Sequence, residues 1–200
     1  MRPEGEVGED LCEPIGESVW RRVPWLILLF GLGMLVSGVA GLFEEIVSHL
    51  SVIVSFQSLV LGMAGNVGTQ SLAVTIRAIS SRRMTPREMR RLVLREGCVG
   101  LCNGLLLGGL SVLLIGAYLH WIRGIEISLA FSVSLCTGLA LFGSMLLSGV
   151  AGSVIPLLCK KFHVDPAVAS GPFITTVNDL VAVVAYYGFS WLILIRWRGI

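Results

Sequence analysis

Five long apolar runs, separated by short charged segments, organise the chain. They cover about residues 23–43, 50–76, 97–119, 127–159 and 166–195. Each is long enough to cross a hydrocarbon core about 30 Å thick, which takes about 20 helical residues. The pattern predicts an all-α, polytopic membrane protein with five transmembrane helices. Polar punctuation supports the boundaries. Arg21 and Arg22 precede the first run, and Pro24 suits a first helical turn, where an N–H is not needed. Glu44, Glu45 and His49 mark a tight hairpin before the second run. The third begins at Gly97, and its Gly100, Gly104 and Gly108 form a stripe suited to close helix contact. The fourth exceeds one perpendicular span, so tilt or a break near Gly152 and Pro156 is expected to absorb the excess. Lys160 and Lys161 close it. Asp165 and Pro166 read as the N-cap and first residue of the last helix.

Composition agrees with this class. Of 200 residues, 54% are hydrophobic and 14% charged, and the mean hydropathy is +0.83. Soluble domains carry nearer a quarter charged residues. The charges are segregated. Glu4, Glu6, Glu9, Asp10, Glu13 and Glu17 fall in residues 1–20, an acidic cytoplasmic tail before a membrane domain spanning residues 21–200. An acidic start lacks the basic region of a secretory leader, so no cleaved leader is expected. Arg77, Arg82, Arg83, Arg87, Arg90, Arg91 and Arg95 crowd the segment between the second and third runs. There Thr85 and Pro86 predict the cap and start of a short amphipathic helix. Basic residues favour the cytoplasmic side. Five spans with the N-terminus inside and the C-terminus outside put the basic clusters in the cytoplasm and leave Arg123 between spans outside, with Arg196 and Arg198 as the one conflict. The arginine segment reads as topology and lipid contact, with no nucleic-acid role, and the protein is placed in the plasma membrane.

Two runs carry chemistry. Asp179 is the single charge within residues 166–195, preceded by Thr175, Thr176 and Asn178. A carboxylate in hydrocarbon costs roughly 2.5–3.5 kcal/mol and usually marks an ion path. Thr175 and Asp179 share a helix face at i, i+4. The second run contains GMAGNVGTQS at residues 62–71, with Gly65, Asn66, Thr69 and Gln70 at its centre. Counted from the expected cytoplasmic ends, Asn66 and Asp179 lie roughly 15 and 20 Å deep. No other Asp, Glu or His is expected at that depth. Gly62, Gly65 and Gly68 are expected to permit close backbone approach and a local bend, as is Pro172 on the last run. Carboxylate, amide, hydroxyl and carbonyl oxygens suit Mg²⁺ or Ca²⁺, and neither cluster has the Cys or His that zinc or copper would favour. The alternative for Asn66, Thr69 and Gln70 is interhelical hydrogen bonding. Cys98 and Cys102 lie at i, i+4 without a second pair, and read with the other cysteines as small apolar residues.

The motif at residues 62–71 with Arg77, the sequence Arg95-Glu96-Gly97, and the stretch IPLLCKKFHVDPAVASGPFITTVNDL at residues 155–180 resemble the MgtE magnesium-transporter family over residues 21–194. The resemblance implies a homodimer of five-helix protomers with a cation pore on the dimer axis, lined by the second and fifth spans. It implies a hydrated Mg²⁺ at Asp179, with Asn66, Thr69 and Gln70 as the polar second-span motif and Asp165 at the cytoplasmic mouth. Members of that family carry cytosolic sensing domains before the membrane domain; with 20 residues ahead of the first span, that apparatus is expected to be absent. A twofold axis would also pair two Asp179 side chains, which a single-carboxylate site needs. The favoured reading is therefore passive Mg²⁺ influx. A proton- or sodium-coupled exporter is the alternative, ahead of a non-transporting membrane subunit or a membrane enzyme, which would need a second catalytic group beside Asp179.

Overall fold

A computed structural model of the chain describes residues 14–43, 51–81, 84–161 and 171–197. Five helices fill them: α1 (Ile15–Gly41), α2 (Ser51–Ser81), α3 (Pro86–Ala117), α4 (Ile127–Lys161) and α5 (Gly171–Ser190). All five are long and apolar enough to cross a membrane, and the chain is a multi-pass membrane protein. Helices α3 and α5 each end in a π-helical turn, Tyr118–Ile122 and Trp191–Trp197. After the first, Gly124 takes φ 65°, a left-handed conformation that costs glycine little. His120 Nδ1 lies 3.0 Å from the Ile125 carbonyl across that turn.

Helix α4 is the hub. It packs against α2, α3 and α5, while α1 leans on α5 at the periphery. Its buried residues lie all round it, and many are small: Ser144, Ser148, Gly149, Gly152 and Ser153 are among them. A helix without an outward polar face belongs in the middle of a bundle. Small residues then let neighbouring backbones approach. A Cβ at Gly100 would stand 2.5 Å from the Met145 carbonyl oxygen, and one at Gly108 would stand 2.7 Å from that of Gly138. The glycine stripe of α3 therefore faces α4, as its spacing predicts. The apolar core lies between α2, α4 and α5, around Val60, Ala64, Leu141, Met145, Ala182 and Tyr186. Tyr186 Oη donates to the Ile53 carbonyl at 2.7 Å and Tyr187 Oη to Gln57 Oε1 at 2.7 Å, tying one end of α5 to α2.

One sequence expectation changes. The segment after Thr85 is not a separate amphipathic helix: α3 runs unbroken from Pro86 through the expected membrane entry at Gly97. Its start is a full capping box, with Thr85 N donating to Glu88 Oε2 at 2.8 Å and Glu88 N to Thr85 Oγ1 at 3.4 Å. Arginine is a good helix former, so nothing between residues 86 and 97 stops propagation. Helix α4 is continuous through Gly152 and Pro156, so of tilt and break the break does not occur, and α2 is continuous through Gly62, Gly65 and Gly68, with Gly68 closely approached as expected. Packing on both sides holds these helices where propensity alone would allow a break. The hairpin at Glu44, Glu45 and His49 and the cap at Asp165 lie outside the described residues. Removing the cap hydroxyl in Thr85→Ala is expected to cost about 1 kcal/mol and to be felt locally. Amide exchange at Arg87 to Met89 should accelerate while exchange in the bundle core stays unchanged; unaltered exchange in that turn would show that the cap contributes nothing.

Candidate functional site

Helix α2 carries polar residues on two opposed faces. Gly65, Gly68, Ser71 and Thr75 are buried in the bundle, whereas Gly62, Asn66, Gln70, Ala73 and Arg77 are exposed along the other flank. Steps of three and four residues make each set one continuous stripe. Thr69 lies at the border, and its hydroxyl donates to the carbonyls of Gly65 and Asn66, both at 3.0 Å. The bonded proton leaves the oxygen's lone pairs able to accept.

On α5, Thr175, Thr176 and Asp179 are half-buried, while Asn178 is wholly buried. The α2–α5 contacts set the register. Tyr186 meets Ile53 near the start of α2, Thr175 lies 4.0 Å from where a Gly65 Cβ would stand, and Asn178 fills the space beside Gly68. The two helices thus run antiparallel, with Asp179 at about the level of residues 62–66. The structure accordingly places Gly65 against Thr175, Asn66 and Gln70 on the adjoining outer flank of α2, and Asp179 on the same helix pair. Asp165 lies outside the described residues. Among the described residues, no three His, Cys, Asp or Glu side chains cluster as a metal site. Among the described residues, the α2–α5 pair offers a single carboxylate with neutral oxygens around it, a set suited to a hydrated hard cation.

A second buried acid went unanticipated. Glu96, on α3, is only 5% exposed, and its Oε2 accepts from Ser71 Oγ at 3.0 Å on the inner face of α2. Ser71 lies about two turns along α2 from residues 62–66, towards the arginine segment, so Glu96 is buried nearer that end of the bundle than Asp179. Hydropathy places Glu96 at the membrane edge because it abuts the arginine segment. Gly97 and Gly100, small residues beside it on α3, were the available signal for its burial. Glu96 sits behind α2, across the helix from Asn66 and Gln70.

Comparison with known proteins agrees with this picture. The chain is 37% identical over 182 residues to the magnesium transporter MgtE of Enterococcus faecalis, covering 91% of this chain and 38% of that protein. It is 34% identical to the one from Bacillus subtilis, over 86% of this chain and 36% of the relative. It is 32% identical to the one from Thermus thermophilus, over 88% and 37%. The chain thus spans somewhat more than a third of the length of these relatives. A family model described as a divalent cation transporter matches residues 57–189, a stretch that includes α2 through most of α5 with both polar clusters, and the chain belongs to that MgtE family.

Proposed function

We propose that the protein conducts Mg²⁺ passively, through a pore on the twofold axis of a homodimer, with Asp179 at the ion site. The observation that carries this reading is the outward stripe of Asn66 and Gln70. Two primary amides in mid-span, turned away from their own bundle, are costly against lipid. Turned towards a second copy across a watery path, they become acceptors for the water shell of a cation. Mg²⁺ dehydrates reluctantly and is held largely through water. Asp179 from each protomer would supply the charge. Asn66, Thr69, Gln70, Thr175 and Thr176 would accept from its water ligands, with Asp165 at the cytoplasmic mouth. The three relatives named as magnesium transporters support the choice of ion.

The orientation that fits has the arginine segment and the N-terminal side in the cytoplasm. An inside-negative potential then supplies about 4.6 kcal/mol per 100 mV for a divalent ion, enough to drive influx alone. Purified protein in liposomes with a potassium diffusion potential is expected to admit Mg²⁺ with no imposed proton or sodium gradient. Flux seen solely under such a gradient would replace the channel with a coupled exporter, and no flux under any condition would leave a non-transporting subunit.

A further inference from the structure

Asn178 is wholly buried, yet neither its Oδ1 nor its Nδ2 has a hydrogen-bond partner among the described residues. An unsatisfied buried polar group is destabilising, so an apolar side chain of similar size would be the more stable filler. The amide is therefore kept at some cost, and its neighbour explains where it fits. A Cβ built on Gly68 would collide with the Asn178 amide. The same α2 turn is crowded from the other side, because the Gly68 carbonyl oxygen abuts the position of a Gly152 Cβ, and Ser71 Cβ is 3.1 Å from that position. Gly68 is thus a socket walled by α4, and Asn178 is the key seated in it.

Ser148 and Ser144 lie one and two turns before Gly152 on the same face of α4, and their hydroxyls also lack partners among the described residues. On the far side of Ser71 stands the buried Glu96. The interior of the bundle therefore contains a polar seam that joins α3, α2, α4 and α5 behind the proposed ion path. Buried polar groups that cost stability are best attested as devices that fix register.

We infer that Asn178 is a positioning residue: locked into Gly68, it fixes the rotation of α5 against α2 and so sets the direction in which Asp179 presents its carboxylate. Successive helical residues are about 100° apart, and any roll of α5 that frees Asn178 swings Asp179 by the same angle. The inference rests on the ion-site reading of Asp179.

The test is a double-mutant cycle on Gly68→Ala and Asn178→Ala, read as the Mg²⁺ concentration giving half-maximal flux into proteoliposomes. Each single change is expected to raise that concentration at least about fivefold, since one blocks the socket and the other removes the key. The double variant, whose new methyl occupies the space the amide left, is expected to return closer to wild type than Gly68→Ala alone. The melting temperature of detergent-purified Asn178→Ala should fall little, which a purely structural loss would not allow alongside the shift in half-saturation. Wild-type half-saturation in Asn178→Ala overturns the inference, as do losses that simply multiply in the double variant. If Gly68→Ala does not fold, Asn178→Ala and Asn178→Ser decide: an unshifted half-saturation in both overturns it. Asp179→Ala in the same assay separates the two readings. Abolished flux in Asp179→Ala with a multiplicative cycle removes the positioning role alone, and normal flux in Asp179→Ala removes the ion site together with everything argued to act through it.

Discussion

Mg²⁺ flux through the Asp179→Ala variant is expected to fall by two orders of magnitude or more at sub-saturating Mg²⁺. A hydrogen bond to a charged group contributes about 1.5–3 kcal/mol, a twofold site loses two such acceptors at once, and each 1.4 kcal/mol is about a tenfold change. Among the described residues no second carboxylate is placed to substitute for the half-buried Asp179: Glu96 is on the other side of α2, bound to Ser71. Asp179→Asn keeps the shape and loses the charge, so it should fall nearly as far. The measurement is entry of Mg²⁺ into dye-loaded liposomes, with each variant first shown to be folded and of wild-type size by gel filtration. Undiminished entry in well-folded Asp179→Ala would end the assignment of the ion site.

The second large effect is expected in folding. At Gly100, a Cβ would lie 2.5 Å from the Met145 carbonyl oxygen and 3.2 Å from the Leu146 Cα, both backbone atoms that cannot turn aside. Gly100→Val must therefore push α3 off α4. Overpacking of this kind costs roughly 1–3 kcal/mol for an added methylene or two, and more where backbone has to move. Because α4 is the hub against which α2, α3 and α5 all rest, the cost spreads through the bundle. The expected result is a sharp loss of monodisperse protein and a melting temperature several degrees lower. Gly109 is the control: it faces outward with nothing within 4 Å of its Cβ position, and Gly109→Ala should behave as wild type. Equal behaviour of the two would show that the α3–α4 crossing is looser than its distances indicate.

Much of this architecture is legible in the sequence because the bilayer imposes a simple rule. A run of about 20 apolar residues must be helical to satisfy its own backbone, so the five spans follow from hydropathy. The positions of Asp179 and of Asn66, Thr69 and Gln70 stand out for the same reason, as polar groups in apolar runs. Hydropathy reports what is embedded, however, and not what is helical. The arginines between residues 86 and 95 therefore read as a loop with a short helix, although they continue α3 without interruption. It also does not report which neighbour a face meets. Ser71, Ser144, Ser148 and Asn178 look alike in sequence to Asn66 and Gln70, and only packing separates an interior seam from an outward stripe. Glu96 is the sharpest case: its charge among arginines suggests solvent, and its burial depends on Gly97 and Gly100 bringing α4 within reach and on Ser71 presenting a hydroxyl.

The peripheral placement of α1 has a mechanical consequence. Its Val36, Val39 and Ala40 rest against the core, and Phe43 stacks on Tyr187 with ring centroids 5.6 Å apart. Tyr187 is on α5, eight residues beyond Asp179, and its hydroxyl is in turn tied to α2 through Gln57. A pull or twist applied to α1 is therefore delivered first to the helix that bears the acid, through a stiff aromatic coupling near one end of a lever whose middle is Asp179. In that sense α1 is a handle on the arm that carries Asp179.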